Sequence, residues 1–154
     1  MSPEDRLAEL ERGENPALIR KMASGYAVLA DSQFLPGYCL LLAYPKVEKL
    51  NDLEGENRRQ FLDDMAILGD AVLGVTGCLR INYSIYGNLD PFLHAHIIPR
   101  YSWEDASYAT SPPMQIPAEL REAPEKQFSM DRHAELIDAI RNRLRILLNE
   151  PPAA

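Results

Sequence analysis

The sequence predicts an α+β fold, and three observations carry that expectation. Apolar, β-prone runs lie in two separate regions, near residues 26–43 and 80–98. Pro36-Gly37 sets two of these runs at hairpin distance, which favours antiparallel pairing. Between the regions, Phe61, Met65, Leu68, Val72 and Val75 recur at steps of four and three, one face of an amphipathic helix. Strands from two regions with intervening helices suggest the α+β class.

Taken in order, Ser2-Pro3 reads as an N-cap followed by proline in the first helical turn. Leu7 and Leu10 give this helix a modest apolar stripe, and Gly13 closes it. Asn15-Pro16 repeats the start signal and predicts a second short helix through Met22, broken at Gly25. Residues 26–30 and 38–43 read as strands on either side of a turn at 31–37. Residues 45–53 form a connector carrying Lys46 and Lys49, and Gly77 caps the helix that follows. Residues 80–86 alternate as a strand, 87–91 form a loop, and 92–98 are a further β-run ended by Pro99. Residues 101–127 are rich in Pro, Ser and Ala without a period. So long an irregular stretch is expected to line a site or cross to a partner subunit. The last helix, over 129–149, starts near Ser129, buries Leu136, Ile140, Leu144 and Leu147, and ends at Pro151-Pro152.

The 154 residues, 46% hydrophobic and 25% charged, fit a single globular domain over 1–154. No apolar run reaches the ~20 residues needed to span a bilayer, and the chain opens Ser2-Pro3-Glu4-Asp5 rather than with a basic-then-apolar signal. A cytoplasmic location and no membrane partner are therefore expected. Cys39 and Cys78 match no metal or redox spacing and read as buried or half-buried thiols. A net charge of −7 argues against long nucleic acid as a partner. A small anionic ligand needs only a locally positive pocket.

Of the three histidines, two stand at His94 and His96. Alternate residues of a strand share a face, so Phe92, His94, His96 and Ile98 point one way. Leu93, Ala95 and Ile97 point into the core. The two imidazoles then lie ~6–7 Å apart, at ~3.3 Å per residue. A neutral imidazole, with a reference pKa near ~6.5, is a usable nucleophile at neutral pH, and its neighbour can donate to a phosphate oxygen or a leaving group. Two other readings compete for a bare His-x-His: a structural pair of partly exposed histidines, and a metal site with His133 as third ligand.

The surrounding residues narrow these readings. The run Asn82-Tyr83-Ser84-Ile85-Tyr86-Gly87-Asn88, followed by Leu93-His94-Ala95-His96-Ile97-Ile98-Pro99-Arg100-Tyr101, resembles the signature of the histidine-triad superfamily. It is most similar to the bacterial branch described as diadenosine-tetraphosphate-hydrolase-like. The stretch from Ala27-Val28-Leu29-Ala30-Asp31 to Pro36-Gly37-Tyr38-Cys39-Leu40-Leu41 looks like that family's nucleoside-binding hairpin. Pro45-Lys46 and Asn51-Asp52-Leu53 fall where the family places proline-basic and Asp-Leu elements. The resemblance covers residues 22–101. It implies an antiparallel sheet of about five strands flanked by helices, and a homodimer.

It also implies roles. His94 matches the family's middle histidine, which attacks the α-phosphorus to form a nucleotidyl-imidazole that water then hydrolyses. His96 matches the third, which contacts phosphate oxygens or aids the leaving group. Phe92 stands where the first histidine would be, yet its backbone carbonyl can still orient His94. Tyr38 replaces another family histidine, so both departures make the back of the pocket more aromatic. Asn88 matches an amide that donates to phosphate, or else shapes a turn with Gly87. Asp31 resembles the residue that binds ribose hydroxyls, although a one-residue difference in spacing to Pro36 would bring Ala30 into register instead. Arg100 and Lys46 could supply local positive potential, or be solvated charges. His133 reads as a packing or helix-start residue, while Trp103 and Tyr108 could stack on a base or face a dimer partner.

The implied function is a nucleotide hydrolase or nucleotidyl transferase acting on a dinucleoside polyphosphate or a nucleoside phosphoramidate. The nucleophile requires no metal or other cofactor, though a divalent cation can accompany such substrates. The alternatives are a nucleotide-binding module without turnover, and a metal-dependent hydrolase built on His94, His96 and His133.

Overall fold

A five-stranded antiparallel sheet organises the computed structural model, which describes residues 2–151. Its strands are β1 (Leu18–Met22), β2 (Gly25–Leu29), β3 (Cys39–Ala43), β4 (Arg80–Ser84) and β5 (His94–Arg100). They lie side by side in the order β1-β2-β3-β5-β4. The helices are α1 (Pro3–Glu11), α2 (Gly55–Thr76), the single turn α3 (Ala118–Arg121) and α4 (Met130–Leu147). This is the α+β architecture expected from the sequence, with a helix at each end.

The strands sort their side chains by parity. Ala27, Leu29, Cys39, Leu41, Ala43, Ala95 and Ile97 face the layer made by α2 and α4, where they meet Phe61, Leu68, Val72, Ile137, Ile140 and Leu144. Cys39 is buried there and Cys78 is half-buried, both as free thiols. On the opposite face, Leu7 and Leu10 of α1 cover Tyr26, Val28, Leu42 and Phe92. Further along that face, Ala30, Phe34, Leu35, Tyr38, Ile98 and Ile116 form a separate cluster. His94 and His96 emerge between these two apolar patches. The C-terminal end of the principal helix α2 is set locally: Gly77 closes it in the left-handed region at φ 66°, as the sequence suggests.

Four expectations need correction. Residues 15–22 do not continue as a helix. Asn15 Oδ1 accepts from the Ala17 N–H at 2.9 Å in a local turn, and Leu18–Met22 becomes the edge strand β1. Pairing with β2 overrides the cap signal, and Ile19 and Met22 are buried in the resulting strand. Gly25 is likewise no helix breaker: a Cβ there would lie 1.9 Å from the Leu42 carbonyl oxygen, so the close pairing of β2 and β3 requires glycine. Pro99 does not end β5, which continues to Arg100. Beyond Ile97 the strand has lost β3 and keeps only β4 as neighbour, where a missing N–H is tolerated. Finally, α4 stops at Leu147, with Asn149 at φ 56°, so it ends before the prolines. It buries Ile137, Ile140 and Leu144 fully, and Leu136 and Leu147 only in part.

The irregular segment after β5 holds single helical turns at Pro113–Gln115, Ala118–Arg121 and Pro124–Lys126. Arg100 ties it down from beneath. Its guanidinium donates to Glu104 Oε1 at 2.9 Å, to Asn82 Oδ1 at 2.9 Å, and to the carbonyls of Ser111 at 2.7 Å and Tyr108 at 3.1 Å.

Candidate active site

Strand register brings the two histidines together. Leu42 pairs with His94 on one side and Tyr26 on the other, while Leu40 pairs with His96 and Val28. The β3 and β2 neighbours of both histidines are thus apolar or aromatic, and the two imidazole ring centroids stand 5.1 Å apart.

His94 Nδ1 lies 2.8 Å from the Phe92 carbonyl oxygen. A carbonyl only accepts, so Nδ1 carries the proton and the neutral ring keeps its lone pair on Nε2. The Phe92 ring, itself buried, stacks on the imidazole at 4.6 Å and 25°. Phenylalanine at this position thus holds the histidine by its backbone and by its face.

His96 has the opposite arrangement. Its Nδ1 lies 2.6 Å from the Tyr38 hydroxyl. That phenol is buried, its pKa is pushed up by burial, and among the described residues its proton has no other acceptor. The O–H therefore donates to Nδ1, leaving the proton of His96 on Nε2. Burial, and secondarily the neighbouring His94, lowers the His96 pKa from 6.5 to about 4. One imidazole offers a lone pair and the other an N–H donor. Tyr38, expected at the back of the pocket, meets His96 there through its hydroxyl.

Two consequences can be measured. Across the neutral range His96 should appear by nitrogen NMR as the Nε2–H tautomer, with no titration until the pH approaches about 4. The unfolded chain takes up this proton near pH ~6.5, so stability from this group is complete above that pH and is lost as the pH falls toward 4. Tyr38→Phe removes the hydroxyl donor. The expected result is a mixture of His96 tautomers and a kcat lower by roughly tenfold, the worth of one hydrogen bond. An unchanged tautomer in that variant would contradict the assignment.

Beside His94 opens a cavity of about 190 Å³, walled by Ser2, Pro3 and Arg6 of the first helix, Asp31 after β2, and Asp90 and Phe92 before β5. Asp31 carries a largely exposed carboxylate 3.6 Å from the Arg6 guanidinium. Arg6 and the N-cap Ser2 were not legible as site residues, because only the docking of α1 brings them near His94; Asp90, in the loop before β5, was missed as well. Tyr86 was also missed; its exposed ring stands 5.9 Å from that of His96.

Other candidates lie elsewhere. Asn88 stands exposed in the β4–β5 loop, outside the walls of this cavity. Lys46 is paired with Glu4 at 2.8 Å. Arg100 is four residues past His96, ~13 Å along the strand at ~3.3 Å per residue, with its donors engaged by the irregular segment. Its charge is paired with Glu104 of that segment. Trp103 is exposed and stacks on Tyr101 at 4.8 Å, while Tyr108 packs against the cluster around Phe34. His133 accepts from the Ser129 N–H at 3.0 Å and stacks on Phe128, which packs into the α2–α4 layer. The sheet separates it from His94 and His96. Among the described residues, no three His, Cys, Asp or Glu side chains gather to hold a metal, and no helix is long and apolar enough to cross a membrane.

No family model and no curated protein matches the sequence, but solved structures match the fold. A histidine triad protein from Bradyrhizobium japonicum superposes with a TM-score of 0.68 at 21% identity, covering 87% of this chain and 94% of its own. One from Sinorhizobium meliloti gives 0.70 at 17% identity, over 88% and 93%. The diadenosine triphosphate hydrolase of Plasmodium falciparum gives 0.61 at 16% identity, over 84% and 77%. The chain therefore has the histidine-triad fold.

Proposed function

We propose that the protein is a nucleotide hydrolase or nucleotidyl transferase in which His94 Nε2 attacks the α-phosphorus of a nucleotide substrate. The observation that carries this reading is the hydrogen bond from His94 Nδ1–H to the Phe92 carbonyl, which leaves Nε2 with a lone pair beside a cavity. Attack forms the N–P bond as the bond from phosphorus to the leaving group breaks. The His96 Nε2–H donates a hydrogen bond to a phosphoryl oxygen or to the departing atom. Water, or another acceptor, then cleaves the N–P bond, releasing a nucleoside monophosphate or its ester and restoring neutral His94. No metal takes part in the attack, and a divalent cation can travel with the substrate's phosphates. The hydrolase name of the Plasmodium falciparum neighbour agrees with this reading.

The cavity is smaller than the ~300–1,000 Å³ usual for ligand sites, at about 190 Å³. It suits the phosphoryl and ribose portions, with the Asp31 carboxylate accepting from ribose hydroxyls. The base then lies toward the exposed Tyr86 or displaces part of α1. Dinucleoside polyphosphates and nucleoside phosphoramidates are the expected substrates. A panel of both, scored for release of a nucleoside monophosphate, tests the reading; no release from any member would defeat it.

Self-association is part of the same proposal. At one edge of the sheet, Arg141 of α4 donates to the Ile19 and Leu18 carbonyls at 2.7 and 3.0 Å, which blunts β1. At the other edge, among the described residues, β4 has no strand beyond it, and Leu79, Tyr83 and Tyr86 are exposed there. An open edge with apolar side chains favours pairing with a second copy. Light scattering should give twice the monomer mass, and Tyr83→Lys should shift it toward monomer; a monomeric wild type would overturn this.

A further inference from the structure

The structure assigns Arg6 as a phosphate-binding residue of the His94 cavity, a role that rests on the nucleotide reading above. Among the described residues, Arg6 is the cation lining that cavity. Two other basic residues are engaged elsewhere, Lys46 on Glu4 and Arg100 on Glu104. Arg6 is different: its polar contact is a single charge pairing with Asp31 at 3.6 Å, longer than a hydrogen bond. Its guanidinium donors are therefore not consumed by the protein.

Its place on α1 supports the assignment. Leu7 and Leu10 define the buried stripe of this helix, 5% and 2% exposed. Arg6 adjoins Leu7 and lies one turn before Leu10, at the margin of the inward face, and its side chain is 32% exposed. An arginine is ordinarily placed on the solvated side of such a helix. Here it reaches the wall that also carries His94. A planar guanidinium matches two phosphate oxygens at once, so it can fix the phosphate chain while Nε2 of His94 approaches phosphorus. In the free protein Asp31 holds this fork loosely. Substrate would separate the pair, giving ribose hydroxyls to the carboxylate and phosphate oxygens to the guanidinium.

The test is titration calorimetry of the full chain with AMP and with adenosine, for wild type, Arg6→Gln and Arg6→Lys. Urea unfolding of each variant confirms that it is folded. AMP binding should weaken roughly tenfold to a hundredfold in Arg6→Gln, the worth of charge-assisted hydrogen bonds. Arg6→Lys should recover part of the loss, and adenosine binding should hold steady across all three. Equal weakening of both ligands would show that Arg6 merely docks α1, and no change in either would show that it does nothing for phosphate. Either result overturns the assignment while leaving the chemistry of His94 intact. Failure of wild type to bind AMP at all would remove both.

Discussion

His94→Ala should abolish turnover while leaving nucleotide bound. In the proposed reaction Nε2 forms the bond to phosphorus, so no neighbouring group can substitute. His96 presents an N–H rather than a lone pair on Nε2, and burial favours its neutral form, so in that tautomer it is a donor and not a nucleophile. Loss of a nucleophile in covalent catalysis costs ~10⁴-fold or more in kcat. Binding should survive, because Arg6, assigned to phosphate, and Asp31, assigned to ribose, line the cavity from α1 and from the end of β2. His94→Ala should therefore show near-wild-type affinity for AMP with no release of product. His96→Ala should be less severe, roughly 10²-fold to 10³-fold, the cost of removing one donor to a developing charge. The order of these two effects matters as much as their size. Were His96→Ala the more damaging, the roles would be reversed.

The largest stability effect is expected at Arg100. Its side chain is 8% exposed and that of its partner Glu104 5%, and each is satisfied through several hydrogen bonds. Arg100→Ala leaves the Glu104 carboxylate buried without its counter-charge and frees the carbonyls of Tyr108 and Ser111. Breaking one side of such a pair costs about 3–5 kcal/mol, against a total stability of ~5–15 kcal/mol for a typical domain. Urea unfolding should show the variant near the limit of folding at ordinary temperature. Arg100→Lys keeps the charge but lacks the planar fork and should fall between. Replacing Arg100 and Glu104 together by Met and Leu should recover much of the loss, since no isolated charge remains. A single-variant loss below about 1 kcal/mol would mean that the pair behaves as a solvated one.

Arg100 also illustrates what a linear sequence conceals. In the sequence it reads as a source of local positive potential or a solvated charge, yet its guanidinium is bonded within the segment that follows. Nothing local in the sequence reports that Glu104 and the carbonyls of residues 108–111 fold back over the end of β5. The strand parity of His94 and His96 was legible, because a period of two is a property of the chain itself. So were α2, with its long apolar stripe and glycine cap, and the hairpin around Pro36-Gly37. The segment 15–22 was not: its Asn-Pro start signal is real, and Asn15 uses it in a turn, but the open edge of β2 competes for the same residues. Long-range partners were equally hidden. The Tyr38–His96 hydrogen bond spans 58 positions, and Arg6 meets Asp31 only because α1 packs across the sheet. Aromatic residues at 38 and 92 could be flagged as departures from a histidine-rich pattern. Their contacts, the Tyr38 hydroxyl on His96 and the Phe92 ring on His94, are set by the fold.

The most direct test of the central claim is intact-mass measurement of protein quenched in alkali during turnover, where a phosphorus–nitrogen bond survives. A gain equal to one nucleotidyl group, mapped by fragmentation to His94 and absent from His94→Ala, is the predicted result. Product release with no such adduct at any quench time, or an adduct mapped to His96, would contradict it.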